Sequence, residues 1–119
     1  MSIADHIETI ESAYEYLLAY AAQGKQTDVT ADGRPSEARQ TIQGLYDALS
    51  GLQSLLRDAD YSFAQVICDD AHRASAALEL VLTQVDISSE LVDNLNASIH
   101  LRAVLTDLFL LDEVTVDDG

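Results

Sequence analysis

The sequence has one cysteine, one proline, one lysine and no tryptophan among its 119 residues. The lone Cys68 excludes an internal disulfide framework and any zinc site built from several cysteines. One proline and five glycines leave few helix breakers, while 48% hydrophobic residues are enough for a real core. We therefore predict a single folded domain over 1–119.

Long apolar runs are also missing. No stretch approaches the about 20 residues that a membrane-spanning helix needs. Near the N-terminus, Asp5, Glu8 and Glu11 stand where a signal peptide has a basic and then an apolar stretch. We therefore expect a cytoplasmic protein without a membrane partner.

Positive charge is the scarcest feature. Six basic residues face twenty-one acidic ones, for a formal net charge of −15. Such a chain is a poor binder of nucleic acid or of anionic membranes, because it cannot replace the counterions of phosphates. Three explanations of the acidity stay open: halophilic adaptation to a salty cytoplasm, a surface for a basic protein partner, and mimicry of nucleic acid.

Apolar residues recur every three or four positions in four segments, near 2–23, 36–58, 60–86 and 88–112. This spacing is typical of helices that bury one face. We predict an all-α, antiparallel (up-down) four-helix bundle with a loop at 24–35 and a fraying acidic tail at 114–119. The predicted buried stripe of the first helix is Ile3, Ile7, Ile10, Tyr14, Leu17 and Ala21.

The last predicted helix is apolar over more than one face. Its core seam is Leu101, Val104, Leu108 and Leu111. A second stripe contains Leu105, Phe109 and Leu110, about 100° around the helix from the seam. Since no helix of a four-helix bundle is central, this stripe predicts a protein contact, and a homodimer through the C-terminal helix is the simplest.

A second candidate contact is the pair Tyr16 and Tyr20, four residues apart on the first helix. Tyrosine is enriched in interfaces because it combines an apolar body with a polar tip. Rim tyrosines that cover the side of the bundle explain the pair equally well.

Histidines and carboxylates supply the candidate chemistry. Asp69-x-x-His72 approximates the Glu-x-x-His motif of metal-binding bundles, but the chain has no second copy. We therefore predict no metal and no cofactor, and keep His6, Asp69, His72 and His100 as the residues to inspect for one.

Around His72, the segment 68–76 resembles the phosphorylated helix of histidine phosphotransfer domains, which are four-helix bundles of similar length. The resemblance implies that His72 is the phosphorylated residue. Ser75 and Ala76 stand where that family has Lys and Gly. Asp69 and Asp70 would repel a phosphate.

Two carboxylate pairs, Glu8-x-x-Glu11 and Glu90-x-x-Asp93, resemble the magnesium-binding helices of all-α nucleotide pyrophosphatases. Metal-binding or nucleotide-processing activity is therefore an alternative. Our main prediction is a small non-catalytic interaction protein, a cytoplasmic adaptor, regulator or assembly factor that acts through helix faces.

Overall fold

A computed structural model describes residues 2–114, which form five α-helices and no strand within that range. The helices are α1 (Ile3–Ala21), α2 (Glu37–Leu56), α3 (Ser62–Leu82), α4 (Ser89–Ala97) and α5 (His100–Val114). The all-α prediction is confirmed. The four-helix bundle is wrong in a strict sense, because the segment expected to form one helix at 88–112 forms two. Apart from Val114, the predicted tail lies outside the described residues.

Serine side chains begin three of the helices. The Ser2 hydroxyl accepts a hydrogen bond from the Asp5 backbone N–H at 3.2 Å, and the Asp5 carboxylate accepts one from the Ser2 N–H at 3.1 Å. This capping box satisfies donors that no helical carbonyl can reach. Ser36 and Ser88 cap α2 and α4 through the backbone N–H three residues later.

The break in the fourth predicted helix falls at Ile99, whose backbone φ is +66°. The Ser98 N–H closes α4 on the carbonyls of Asn94 and Leu95, and the Ile99 carbonyl accepts the first bond of α5 from Ala103 at 2.8 Å. β-Branched residues rarely adopt this left-handed conformation. The turn lets α4 pack mainly on α1 and α5 mainly on α3.

The core joins all five helices, and α2 lies against both α1 and α3. On α2 the same spacing of three and four residues predicts a single stripe, and all of its residues are buried: Ala38, Ile42, Leu45, Leu49, Leu52 and Leu56. The stripe of α1 is rotated, because its buried residues are His6, Ile10, Ala13, Leu17 and Tyr20. No helix in the described part of the chain is long and apolar enough to span a bilayer.

Asp28 fastens the α1–α2 loop to the connection between α3 and α4. Its side chain is 2% exposed. It accepts hydrogen bonds from the Ile87 N–H at 2.7 Å, the Ser36 hydroxyl at 2.7 Å and Arg39 Nε at 3.2 Å. Burial alone would raise the pKa of Asp28, but these three donors outweigh it and lower the pKa below its usual value.

Arg39 extends the same network across the end of α3. Its two terminal nitrogens donate to the carbonyls of Leu82, Gln84 and Val85 at 3.1, 2.9 and 3.2 Å. Carbonyls at the end of a helix have no helical donors, so a guanidinium satisfies them there. One Asp–Arg pair thus connects the α1–α2 loop, the start of α2 and the end of α3.

Candidate functional site

The exposed apolar surface of α5 is smaller than the sequence predicts. Leu105 is only 5% exposed and belongs to the core, so its assignment to an external contact stripe is corrected. Phe109 and Leu110 are 50% and 54% exposed, and Val114 follows one turn later. The break at Ile99 explains this difference. Because α5 is a separate helix that packs against α1, α3 and α4, it buries a wider face than one bundle seam, and Leu105 lies on that face. We call Phe109, Leu110 and Val114 the α5 patch.

Tyr16 and Tyr20 are stacked, with ring centroids 6.2 Å apart. Tyr20 is buried, and its hydroxyl donates to the Ile87 carbonyl. Burial raises the pKa of both hydroxyls, and the negative charge of Asp28 adds to the effect on Tyr20. Tyr20 thus holds the α3–α4 connection, while Tyr16 is half-buried and still reaches the surface.

The three histidines lie on different helices and in different surroundings. His6 is buried on α1, His72 is exposed on α3, and His100 is half-buried at the start of α5. Asp69 is exposed and accepts a hydrogen bond from Gln65 at 2.8 Å. Within residues 2–114 no group of three or more His, Cys, Asp or Glu side chains is placed to hold a metal ion.

His72 has acidic neighbours on its own helix. The adjacent Arg73 is engaged with Asp70 at 2.9 Å. Ser75, at the position where the phosphotransfer family has Lys, is buried. Phosphorylation of His72 stays a prediction.

Asp70 also faces a second carboxyl group, that of Asp107 on α5. Burial, together with a hydrogen bond and charge repulsion from the nearby Asp70 carboxyl, raises the pKa of Asp107 to about 7. One oxygen of Asp107, Oδ2, is sealed from solvent and has no hydrogen-bond partner in the described part of the chain. Asp107 therefore keeps its proton to a higher pH than an ordinary aspartate.

An open cavity of about 600 Å³ lies between α1 and α2, and we call it the α1–α2 groove. Its lining residues are His6, Thr9, Gly44, Asp47, Ala48, Gly51, Ser54 and Leu55. His6 is 4% exposed, and its Nδ1 donates to the Ser2 carbonyl at 2.8 Å. The other ring nitrogen, Nε2, is then an acceptor in the neutral ring.

Gly51 explains how an imidazole fits beneath α2. A Cβ atom built at this position would lie 2.9 Å from His6 Nε2, closer than real atoms approach. Any larger residue at position 51 would push the ring away. Gly51 is therefore required by the position of His6.

Sequence patterns missed three of these features. The buried Asp28 and the raised pKa of Asp107 depend on Ile87 and Asp70, which are distant in sequence and which local spacing does not reveal. For His6, the sequence pattern predicts at most a metal ligand. One signal for it was present: two glycines, Gly44 and Gly51, in a helix with otherwise regular periodicity.

No protein-family model matches this chain, and neither a curated protein nor a solved structure matches it.

Proposed function

We propose that this chain is a non-catalytic interaction protein, an adaptor, regulator or assembly factor, that binds a basic protein through the α5 patch. One observation carries the proposal: the half-exposed Phe109 and Leu110 lie beside the exposed Asp112 and Glu113 on a molecule of net charge −15. Apolar anchors rimmed by charge of one sign favour a partner of opposite charge.

The two parts of this surface have different roles. Negative charge over the whole molecule accelerates the approach of a basic partner, and this attraction weakens as salt rises. Covering Phe109 and Leu110 adds binding free energy that does not depend on salt. Fully burying one such side chain contributes about 1.5–3 kcal/mol, and these two contribute less because they are already half-buried. A second copy of the chain would bring its own negative charge to the contact, so a basic partner is favoured over a homodimer.

The test uses a helical peptide of lysine and leucine with one apolar face, and a scrambled peptide of the same composition. Titration calorimetry at fixed salt should show the amphipathic peptide binding about tenfold tighter than the scrambled one. The double variant Phe109→Ser/Leu110→Ser, which leaves the charge unchanged, should remove that preference. Leu80→Ser is the matched control, because Leu80 is an exposed leucine on α3.

Two results would contradict the proposal. Equal binding of the two peptides by the wild type would leave charge alone as the attraction. A wild-type dimer in light scattering that Phe109→Ser/Leu110→Ser converts to a monomer would assign the α5 patch to a second copy instead.

A further inference from the structure

A cavity of about 360 Å³ lies where the second half of α1, one face of α4 and the first turn of α5 meet, and we call it the α1–α4 pocket. Its charged and amide groups are Asp93 and Asn96 of α4 and Arg102 of α5. The left-handed turn at Ile99 lies between Asn96 and Arg102 in sequence, and both residues line the cavity. The volume is near the lower end of the usual range for small-molecule sites, which favours a small ligand.

Asn96 is the buried polar residue of this pocket. It is 7% exposed, and its Nδ2 donates to the Leu17 carbonyl at 3.3 Å. The reverse orientation of the amide would bring two acceptors together, so the remaining atom is the acceptor Oδ1. Oδ1 is buried and has no hydrogen-bond partner within residues 2–114. Buried polar atoms normally have partners, and because Asn96 lines the pocket, a ligand bound there can supply the missing donor.

Asp93 adds a second acceptor next to Asn96. The two residues are three apart on α4, a spacing that places side chains on one face of a helix. The Asp93 carboxylate is exposed and belongs to no ion pair among the described residues. An ammonium group has three donors, enough for both Asn96 Oδ1 and Asp93. The two acceptors therefore favour a ligand with an ammonium group.

Arg102 gives the pocket a group of opposite charge. Its side chain is exposed and forms no ion pair within residues 2–114, either with Asp93 or with another carboxylate. A guanidinium binds a carboxylate through two parallel hydrogen bonds. A ligand that uses Asp93, Asn96 and Arg102 together therefore carries both an ammonium and a carboxylate group.

The α1 side of the pocket is apolar. Tyr14 and Leu18 lie four residues apart on one face of α1, and Leu18 is 48% exposed. The short side chains of Ala21, Ala22 and Ala97 complete the lining and leave the volume open. An apolar side chain of the ligand would remove the exposed part of Leu18 from water.

From these observations we propose that the α1–α4 pocket binds a small zwitterion, an α-amino acid with an apolar side chain. The ammonium donates to Asn96 Oδ1 and pairs with Asp93, the carboxylate pairs with Arg102, and the side chain lies along Leu18. The pocket contains no residue of the α5 patch, so this site does not depend on the function proposed for that patch.

Nuclear magnetic resonance of the ¹⁵N-labelled protein tests the site with three probes that share one carbon skeleton. L-Leucine carries both charges, 3-methylbutylammonium lacks the carboxylate, and 4-methylpentanoate lacks the ammonium. All are titrated at pH 7 and constant ionic strength. We expect L-leucine to shift the Asn96 side-chain amide and the backbone amides of Leu18, Asp93 and Arg102 saturably. Each probe with a single charge should bind about tenfold more weakly, because it leaves one partner unused.

Two variants assign the partners. Arg102→Gln should weaken L-leucine about tenfold, to the affinity of 3-methylbutylammonium, and should not weaken that probe. The matched control is Arg57→Gln, because Arg57 is an exposed arginine at the end of α2 and also forms no ion pair among the described residues. Asn96→Leu keeps a side chain of similar size without the acceptor, and should weaken L-leucine and 3-methylbutylammonium but not 4-methylpentanoate. If Asn96→Leu does not fold, Arg102→Gln at its exposed position decides the test.

An amino acid site in this pocket is excluded by any of three results. Shifts that do not saturate with L-leucine, or that spread over the acidic surface, would show general counterion attraction. Equal affinity of the wild type for L-leucine and 3-methylbutylammonium would exclude a carboxylate partner. Unchanged binding of L-leucine by Arg102→Gln would place the ligand elsewhere.

Discussion

Asp28 is buried and Asp107 is half-buried, and the two carboxyl groups respond in opposite ways. Asp28 is surrounded by donors, the Ile87 N–H, the Ser36 hydroxyl and Arg39, so its ionised form is favoured despite burial. Asp107 faces another carboxyl group, and its neutral form is favoured. Burial penalises both charges, and the partners within hydrogen-bond reach decide the sign of the pKa shift.

For Asp28, the variant Asp28→Asn keeps the size of the side chain and removes its charge. Its amide group would face donors, so we expect a loss of about 1.5–3 kcal/mol in the free energy of unfolding at pH 7, measured by urea denaturation. The control is Asp32→Asn in the same loop, where hydrogen bonds from Thr30 and Arg34 lower the pKa of a fully exposed carboxylate. Similar midpoints for both variants would contradict the role given to Asp28.

The carboxyl of Asp107 predicts a pH dependence of stability. Its pKa of about 7 in the folded state exceeds the about 4 of an unfolded aspartate. The folded chain therefore holds a proton that the unfolded chain releases, and the free energy of unfolding falls as pH rises from about 4 to about 7. Asp107→Asn cannot ionise, so it should be more stable than the wild type at pH 7.5 and similar to it near pH 4.

Urea midpoints across this pH range measure the difference between the two proteins. The carboxyl of Asp70 faces Asp107 from α3, and Asp70 itself pairs with Arg73. The control Asp112→Asn, on the exposed side of α5, keeps Asp107 and should therefore follow the pH dependence of the wild type. A constant difference between Asp107→Asn and the wild type at all pH values would refute the raised pKa of Asp107.

At the scale of elements, the connection between α4 and α5 stores backbone strain at Ile99. Ile99→Gly adopts φ +66° without a steric penalty and loses little packing, because Ile99 is 58% exposed. We expect the free energy of unfolding to rise by about 0.5–1 kcal/mol after the entropy cost of glycine. Ile99→Val keeps the β-branched side chain and should change little. A lower Tm for Ile99→Gly would mean that the side chain holds the turn.

The elements also show how far periodicity predicts this fold. It places α2 and its buried stripe correctly, because α2 buries one narrow face against α1 and α3. It misjudges α1, where His6 and Tyr20 become buried because Ser2 and Ile87 carbonyls satisfy them. It misses the break at Ile99, since no glycine or proline marks it and only the different packing of α4 and α5 requires it. For the same reason it places Leu105 outside the core.

At the scale of the whole molecule, the net charge of −15 is distributed over a particle with a radius of gyration of 14.9 Å. The Debye length is about 30 Å at 0.01 M salt, so the carboxylates repel one another across the whole particle. At 1 M salt it is about 3 Å, and only adjacent charges still interact. The folded state brings these charges closer together than the unfolded chain does, so salt should stabilise it.

We therefore expect the Tm to rise between 0.01 and 1 M NaCl at pH 7, as followed by circular dichroism. Screening and salting-out change the Tm differently as salt rises. Screening raises the Tm most steeply at low salt, where the Debye length still exceeds the spacing of charges, whereas salting-out raises it steadily over the whole range. Repeating the scan near pH 4 is the control, because partial protonation of the carboxylates should reduce the steep part. A Tm that is flat or falls with salt at pH 7 would remove halophilic adaptation as the explanation of the acidity, and would leave a basic partner as the more direct one.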